Sequence, residues 1–276
     1  MVFAKDIIKS EFPRIEEDAP LSALLGLMQK HHVHWAVVVD KKGKYKGMTD
    51  KKKLLHARVD VEKTKVKNCV VAVPKLHLED STKKLIDTFL TSDVKALPVF
   101  QGSQLLGVVR VSDVIEAAKG VLKGIKVKDV LSKQCVVLGE NEGCGKALNV
   151  MTQKKFHHIP VVDAAKKLLG IVSLVDILEK QVLFPKKRMH ISGAAAHQQH
   201  KQTGYGVGEK TSSLFLPVRN ILSPDCCTCS PEESMMSVVQ KMLNDRHSTA
   251  IIVKENTPVG IVTVKDILVQ LKKVLD

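Results

Sequence analysis

The chain contains four copies of one glycine-centred segment, and this repetition limits the folds open to it more than any other feature. Each copy has an apolar residue directly after the glycine and another six positions later, behind a β-rich stretch. The copies begin at Gly47, Gly107, Gly170 and Gly260 and read GMTDKKKLL, GVVRVSDVI, GIVSLVDIL and GIVTVKDIL. Repeats of this kind are supersecondary units that bury their apolar faces against neighbouring copies.

The residues upstream of each glycine predict a hairpin and, before it, a helix. Two short apolar runs flank a polar turn in every copy, as in HHIPVVDAAKKLL. Before the hairpin the apolar residues follow helical periodicity. The shared faces are Ala147, Leu148 and Met151 in the third copy, and Met235, Val238, Val239 and Met242 in the fourth. The polar residues expected to cap these helices are Asp18, Ser81, Asn141 and Ser230.

A similar pentapeptide opens each copy, and it completes the repeating unit. The four versions read AKDII, VKNCV, VKDVL and VRNIL. The unit is therefore strand, helix, strand, strand, helix, and it predicts an α/β protein. One unit alone would leave a sheet face uncovered, so we expect the copies to pair. The predicted repeats span residues 1–62, 63–125, 126–183 and 214–276, and residues 184–213 are an inserted loop.

No metal site is expected from the sequence. The insertion has three histidines, His190, His197 and His200, but it lacks neighbouring acids or cysteines that would complete a ligand set. Three cysteines lie within residues 226–229 without a second ligand pair at zinc-like spacing. We therefore expect residues 226–229 to be a β-strand with small side chains.

The segments behind the third and fourth glycines have the chemistry to hold a ribose phosphate. Ser173 and Thr263 each stand at a predicted helix start, with Asp176 and Asp266 three residues later. A helix N-terminus attracts phosphate, the hydroxyl can donate to it, and the carboxylate can accept bonds from the ribose hydroxyls. The same spacing is that of a capping box, which needs no ligand. Recurrence of the frame with a varied polar starter favours the ligand role.

The repeat resembles the cystathionine beta-synthase (CBS) domain. That family's motif is a glycine, two apolar residues, a serine or threonine, and an aspartate three residues later, behind a strand like IPVV. The resemblance covers nearly the whole chain except the insertion. It implies four βαββα repeats paired as two pseudo-twofold Bateman modules, about residues 1–125 and 126–276, in one disc or a homodimer. It also implies a non-catalytic regulator that binds an adenosine nucleotide (AMP, ADP or ATP) in clefts between paired repeats, with the ligand tuning the binding of a partner protein.

The resemblance also assigns the site residues. It places the phosphate-side hydroxyl on Ser173 and Thr263, and the ribose-side carboxylate on Asp113, Asp176 and Asp266. Candidate phosphate partners ahead of the hairpin strand are His157, His158, Arg246 and His247, of which His158 and Arg246 complete the expected site. Surface residues that end a helix are the alternative interpretation of these four.

The first two copies depart from the family pattern. In the second copy Arg110 replaces the hydroxyl, although a guanidinium can also meet a phosphate. In the first copy Asp50 and Lys53 hold the two positions. Because a lysine cannot accept hydrogen bonds from ribose hydroxyls, we expect no nucleotide at the first copy.

The charge balance keeps a second function open. Lys and Arg number 43 against 29 acids, a net charge of +14, and lysines concentrate between Asp40 and Lys53. A basic surface of this kind attracts phosphate backbones, so structured RNA or the ribosome is the alternative partner. No apolar run approaches the roughly 20 residues of a membrane span, and no secretory core opens the chain. We therefore expect a cytoplasmic protein without membrane partners. We also expect no enzyme activity, because no nucleophile–base set emerges from the spacing.

Overall fold

A computed structural model describes residues 2–51, 63–130, 135–177 and 213–276. The predicted loop 184–213, apart from its last residue, and Lys53 therefore lie outside the described residues. The first repeat contains α1 (Ala4–Ile7), β1 (Arg14–Glu16), α2 (Leu21–Lys30), β2 (Trp35–Val39) and β3 (Tyr45–Asp50). The second contains a 3-10 turn (Val66–Cys69), β4 (Leu76–His77), α3 (Thr82–Ser92), β5 (Ala96–Gln101), β6 (Gln104–Arg110), α4 (Val111–Ala118) and a second 3-10 turn (Lys119–Leu122).

The second half repeats this order. The third repeat contains α5 (Val127–Val130), β7 (Leu138–Gly139), α6 (Cys144–Lys154), β8 (His158–Val162) and β9 (Leu168–Ser173), with helical backbone again from Leu174 to Ile177. The fourth contains two 3-10 turns (Ser213–Phe215 and Val218–Asn220), β10 (Cys227–Cys229), α7 (Met235–Asn244), β11 (Thr249–Lys254), β12 (Thr257–Thr263) and α8 (Val264–Leu275).

Across the described residues the strands form four sheets of three strands, one for each repeat. In every sheet the first strand pairs parallel with the second, and the second pairs antiparallel with the third. The helix between the first two strands provides the crossover that a parallel pair requires. The predicted α/β class and the βαββα unit are confirmed.

The helical faces expected from the apolar periodicity are the buried ones. Met235, Val238, Val239 and Met242 of α7 are buried, as are Ala147 and Met151 of α6, while Leu148 packs at the edge of the same core. Residues 227–229 form strand β10, as expected, and its two cysteines, Cys227 and Cys229, are buried.

The helix starts were predicted less well than the helix faces. Ser81 caps α3 as expected, accepting a hydrogen bond from the Lys84 N–H. The other three caps were wrong: the helices begin after Pro20, Gly143 and Ser234 instead of Asp18, Asn141 and Ser230. Two of these polar side chains make other contacts. Asp18 pairs with Lys65 and Lys67, and Asn141 accepts a bond from Arg219.

The pentapeptide that opens each repeat docks on the neighbouring repeat. Ala4 N–H donates to the Asp80 carbonyl of repeat 2, and Val66 N–H donates to the Ala19 carbonyl of repeat 1. In the second half, the Val127 N–H donates to the Glu233 carbonyl, and the Val218 N–H to the Glu142 carbonyl. This reciprocal exchange ties repeats 1 and 2 into a first module and repeats 3 and 4 into a second module.

The motif glycine makes this exchange possible. A Cβ at Gly170 would lie 2.4 Å from the Ser223 carbonyl oxygen, and a Cβ at Gly107 would lie 2.5 Å from the Lys9 carbonyl oxygen. Both distances are far below van der Waals contact, and both neighbours are backbone atoms that cannot rotate away. Part of the glycine motif is therefore explained by close backbone packing rather than by ligand chemistry.

The two modules share one large hydrophobic core. It joins Leu85, Ile86 and Phe89 of α3 in repeat 2 to Ile267 and Leu271 of α8 in repeat 4. Two ion pairs flank the same contact: Lys272 Nζ lies 2.5 Å from Asp87 Oδ1, and Lys83 Nζ lies 2.6 Å from Asp276 Oδ1. The modules thus pack against each other within one chain.

Candidate functional site

The strand-to-helix corners of repeats 3 and 4 form closed hydrogen-bonded boxes. Ser173 N–H donates to Asp176 Oδ2 (2.9 Å), and Asp176 N–H donates to Ser173 Oγ (3.1 Å). At the fourth corner the Thr263 N–H (2.8 Å) and hydroxyl (2.7 Å) both donate to Asp266 Oδ2. The capping role considered above is therefore realised. Within the described part of the chain these bonds use only one carboxylate oxygen, so Oδ1 of each aspartate remains for a ligand.

The corner of repeat 2 differs, because its carboxylate is fully engaged. Asp113 Oδ2 accepts bonds from the Arg110 N–H (3.0 Å) and Nε (2.8 Å), while Oδ1 accepts from Nη2 (2.5 Å). The hydrogen bond to Asp113 raises the pKa of Arg110 further above its ordinary value. A ribose would have to compete with a bidentate guanidinium for Asp113.

Backbone hydrogen bonds fix which residues are equivalent between repeats. The residue before the second strand accepts a bond from the first helical N–H after the motif: Lys95 from Val111, His157 from Leu174, and Ser248 from Val264. The first residues of these strands, Trp35, Ala96, His158 and Thr249, are therefore equivalent. Two positions before Lys95, His157 and Ser248 stand Asp93, Lys155 and Arg246, all with left-handed backbone.

His158 and Thr249 meet where the two repeats of the second module cross. Thr249 Oγ1 lies 3.1 Å from His158 Nδ1. In the sheets, His158 is paired with Ser173 and Thr249 with Thr263. Because these positions are equivalent, the contact lies at the pseudo-twofold axis and brings His158 beside the Thr263 corner.

A cleft of about 710 Å³ opens at this place in the second module. One part of its wall is apolar and includes Val136, Pro160 and Ile261. The Thr263–Asp266 corner lies in the same cleft. Apolar walls beside a few convergent polar groups are typical of small-molecule sites, and the volume falls within their usual range.

In the first module a cavity of about 10 Å³ lies beside the Asp50 corner of repeat 1, lined by Trp35, Met48 and Ala96, among others. This corner is equivalent to the Ser173 corner of the second module, because Asp50 pairs with Trp35 as Ser173 pairs with His158. Trp35 is only 6% exposed and packs with Val37, Met48, Ala96 and Val108 between the two sheets. Trp35 and Ala96 take the positions that His158 and Thr249 hold in the second module, and the indole of Trp35 fills the space between the two sheets there.

The cleft of the second module is mainly basic at its polar end. Lys95, Lys154, Lys155 and Lys265 line it together with His157 and His158. The acids in the described lining are Asp93 and Asp266. Such a balance favours an anionic ligand.

The structure gathers three of the seven expected site residues in this cleft: Thr263, Asp266 and His158. Its described lining does not include Ser173, Asp176, Arg246 or Asp113. Nucleotide contacts by all seven residues stay predictions, and for Asp113 the pairing with Arg110 opposes the contact. Sequence reasoning missed Lys95 and Lys155. The shared left-handed position of Lys155 and Arg246, at the end of equivalent helices, is the signal that would have paired them.

In the described ranges, no group of three or more His, Cys, Asp or Glu side chains is close enough together to hold a metal ion. Burial raises the pKa of the Cys229 thiol to about 12, and the pKa values of Cys226 and Cys227 are raised for the same reason. These thiols are therefore protonated at neutral pH, which is unfavourable for binding soft metals.

These observations define a class: tandem βαββα repeats, paired by exchanged segments into two modules, with a ligand-sized cleft in the second. Comparison with known proteins names the family. The model of the CBS domain matches residues 4–60, 68–120, 127–182 and 218–273. The chain belongs to the CBS-domain family, whose paired domains are typically regulatory modules that bind adenosine-containing ligands.

Relatives and solved structures support the same arrangement along the whole chain. Uncharacterized protein MJ1404 of Methanocaldococcus jannaschii is 28% identical over 96% of this chain, which spans 60% of that relative's length. An uncharacterized 33.4 kDa protein in a ribosomal RNA operon of Thermofilum pendens is 21% identical over 91% of this chain and 85% of its own length. The crystal structure of M. jannaschii protein MJ1225, proposed as an archaeal homolog of g-AMPK, superposes with a TM-score of 0.76 at 18% identity. That superposition covers 98% of this chain and 99% of MJ1225, and it shows a common fold.

The basic surface is partly neutralised by ion pairs. Lys65 and Lys67 pair with Asp18, and Lys126 and Lys128 pair with Glu232. The two lysines hold the pKa of Glu232 at about 2. Binding to structured RNA or to the ribosome stays a prediction. Of the helices in the described ranges, none is long and apolar enough to cross a membrane.

Proposed function

We propose that this protein is a regulatory sensor that binds an adenosine nucleotide in the cleft of its second module. The observation that carries the proposal is the cleft of about 710 Å³ that holds the Thr263–Asp266 corner beside an apolar wall and several lysines. In the first module, by contrast, Trp35 is packed between the two sheets, and the cavity beside it is about 10 Å³. The ligand would bind to one module, and the other would serve as a packed platform.

In this proposal each group at the Thr263–Asp266 corner has a role. Asp266 Oδ1 accepts hydrogen bonds from the ribose hydroxyls while Oδ2 keeps the helix cap. The N-terminus of α8 faces the 5′-phosphate, where a helix of 12 residues supplies partial positive charge. The Thr263 hydroxyl, which donates to Asp266 Oδ2, turns from that carboxylate to the phosphate when the ligand binds, while the Thr263 N–H keeps its bond to Oδ2. The apolar wall at Val136, Pro160 and Ile261 takes the base.

Helix α8 offers a route from ligand to partner. It begins at the Thr263–Asp266 corner, and its residues Ile267, Leu268 and Leu271 enter the core shared with repeat 2. A ligand that holds the start of α8 would also stabilise its contact with α3. Partner binding that depends on how the modules pack would then follow ligand concentration. A non-catalytic role of this kind agrees with the family's typical use.

The test is calorimetric titration with AMP, ADP and ATP, and with the 2′-deoxy form of whichever nucleotide binds most tightly. A hydrogen bond to a charged group contributes about 1.5–3 kcal/mol, so loss of the 2′-hydroxyl should weaken binding about tenfold or more. Asp266→Asn should weaken the ribonucleotide and largely remove its advantage over the deoxy form. Asp6→Asn changes a similar capping carboxylate in α1 far from the cleft, and it should leave affinity unaltered.

Two results decide the matter. Absence of heat and of any melting-temperature shift with all three nucleotides at millimolar concentration would refute the proposal. Equal loss of affinity in Asp266→Asn and Asp6→Asn would show that the effect is structural rather than a contact with ribose.

A further inference from the structure

The cleft of the second module receives side chains from the first module. Asp93 and Lys95 belong to repeat 2, yet they line the same cleft as Thr263 and Asp266 of repeat 4. The packing of α3 on α8 explains this arrival, because Asp93 follows directly on the last residue of α3. The polar end of the site is therefore built from three repeats, not from the two that form the module.

The backbone at Lys95 is held in place by its neighbours. Its carbonyl accepts the Val111 N–H at 3.0 Å, and the next two residues, Ala96 and Leu97, are 1% and 0% exposed in the core. The Lys95 side chain is half-buried, unlike Lys154, Lys155 and Lys265, which are exposed. A lysine whose base is held in this way has less freedom to lose than a fully exposed lysine when it meets an anion.

The charge and the length of a nucleotide's phosphate chain both bear on the role of Lys95. With ribose and the first phosphate held at the Thr263–Asp266 corner, further phosphates must extend along the basic end of the cleft. A nucleoside monophosphate carries about −2 charges and a triphosphate about −4 at neutral pH, and each phosphate group adds strong acceptor oxygens. Lys95 brings a cation to this end of the cleft from a repeat outside the second module, and the terminal phosphates are the groups added when the chain lengthens.

We propose that Lys95 makes the cleft selective for phosphate-chain length, so that nucleoside triphosphates bind more tightly than monophosphates. The inference rests on the proposed nucleotide site at the Thr263–Asp266 corner. It makes Lys95 a specificity-determining residue through which the first module takes part in ligand binding. Asp93, the acid beside it, acts in the opposite direction and limits the gain.

The experiment measures dissociation constants of AMP and ATP by calorimetry in buffer with EDTA for the full chain and three variants. Lys95→Met keeps the apolar stem and removes the charge. It should weaken ATP about tenfold, as for one lost charged hydrogen bond, and change AMP by less than about twofold. Lys123→Met removes the same charge from repeat 2 outside the described lining of the cleft, and it should leave the ATP-to-AMP ratio unchanged.

Asp93→Asn is the variant with the opposite sign. Asparagine accepts the left-handed backbone found at position 93, where φ is 50°, so the fold should tolerate the change. We expect ATP to bind more tightly and AMP to be little affected. The ratio of ATP affinity to AMP affinity should therefore fall in Lys95→Met and rise in Asp93→Asn. A merely structural effect would not move this ratio in opposite directions in the two variants.

The outcomes separate this inference from the function on which it rests. If no nucleotide binds the wild-type chain, the nucleotide site itself is wrong. If nucleotides bind but the wild-type chain does not prefer ATP, or Lys95→Met weakens AMP and ATP equally, chain-length selection by Lys95 is overturned and the nucleotide site stands. Melting curves of each variant confirm that the compared proteins are folded.

Discussion

Substitution of the motif glycine in repeat 3 is the sharpest test of the exchanged segments. In Gly170→Ala the new Cβ would lie 2.4 Å from the Ser223 carbonyl oxygen and 3.0 Å from the Pro224 Cα. The strand or the exchanged segment must therefore shift by about 1 Å, because ordinary contacts begin near 3.4 Å. That shift strains the two hydrogen bonds between Ile171 and Ser223, which are 2.9 and 2.8 Å long.

The magnitude follows from these contacts. Two backbone hydrogen bonds are worth about 0.5–1.5 kcal/mol each, and overpacking costs about 1–3 kcal/mol. Gly170→Ala should therefore lower the free energy of unfolding by about 2–6 kcal/mol. The matched control is Gly26→Ala in α2, where a Cβ has no neighbour within 4 Å. Because alanine is the better helix former, Gly26→Ala should stabilise by up to about 1 kcal/mol.

Urea denaturation followed by two probes measures both effects. Circular dichroism follows the helices of both modules, whereas Trp35, the single tryptophan, reports the first module. Because the modules share a core, the two transitions of Gly170→Ala should move together to lower urea. A Gly170→Ala protein as stable as wild type would refute the role given to the glycine. A shift seen by circular dichroism alone would refute the coupling between modules.

Three further predictions concern Trp35, which is packed between the sheets of the first module, and two buried titratable groups. Trp35→Ala should cost about 3–5 kcal/mol by thermal or urea unfolding, since Trp35 is 6% exposed; a neutral result would mean that the indole does not fill the space. Tyr45→Phe should be neutral or stabilising by up to about 1 kcal/mol, because the buried hydroxyl has no hydrogen-bond partner in the described chain; a clear loss would reveal a missed partner. Burial raises the pKa of Cys229 from 9.0 to about 12, so its thiol ionises first in the unfolded state. Stability should thus be full below pH 9 and fall as the pH rises towards 12, and Cys229→Ala should flatten this melting-temperature profile; an unchanged slope would assign the loss to other groups.

Sequence periodicity predicted the elements that depend on local pattern. The hairpins, the buried face of α7 and the corners at Ser173 and Thr263 follow from residues that are neighbours in sequence. The CBS resemblance was sufficient for the class of repeat and for its pairing. Three of the predicted helix caps were wrong because a polar side chain near a helix start is equally able to pair elsewhere, as Asp18 does with Lys65.

Features that depend on contacts between repeats could not be predicted from the sequence. The residues around Trp35 in the sequence do not show that its indole packs between the sheets of the first module, although the departure of the neighbouring motif from the family pattern is consistent with that packing. The sequence left open that the guanidinium of Arg110 meets a phosphate, and the structure pairs it with Asp113. The arrival of Lys95 in the cleft requires the packing of α3 on α8, which joins residues far apart in the chain.

A crystal structure of the full chain grown with ADP or ATP tests the central claim most directly. The account predicts nucleotide density in the second module, with the ribose hydroxyls against Asp266 and the first phosphate at Thr263, and an undisturbed Trp35 between the sheets of the first module. Density in the first module beside a displaced Trp35, or a second-module cleft without nucleotide at saturating concentration, would contradict it.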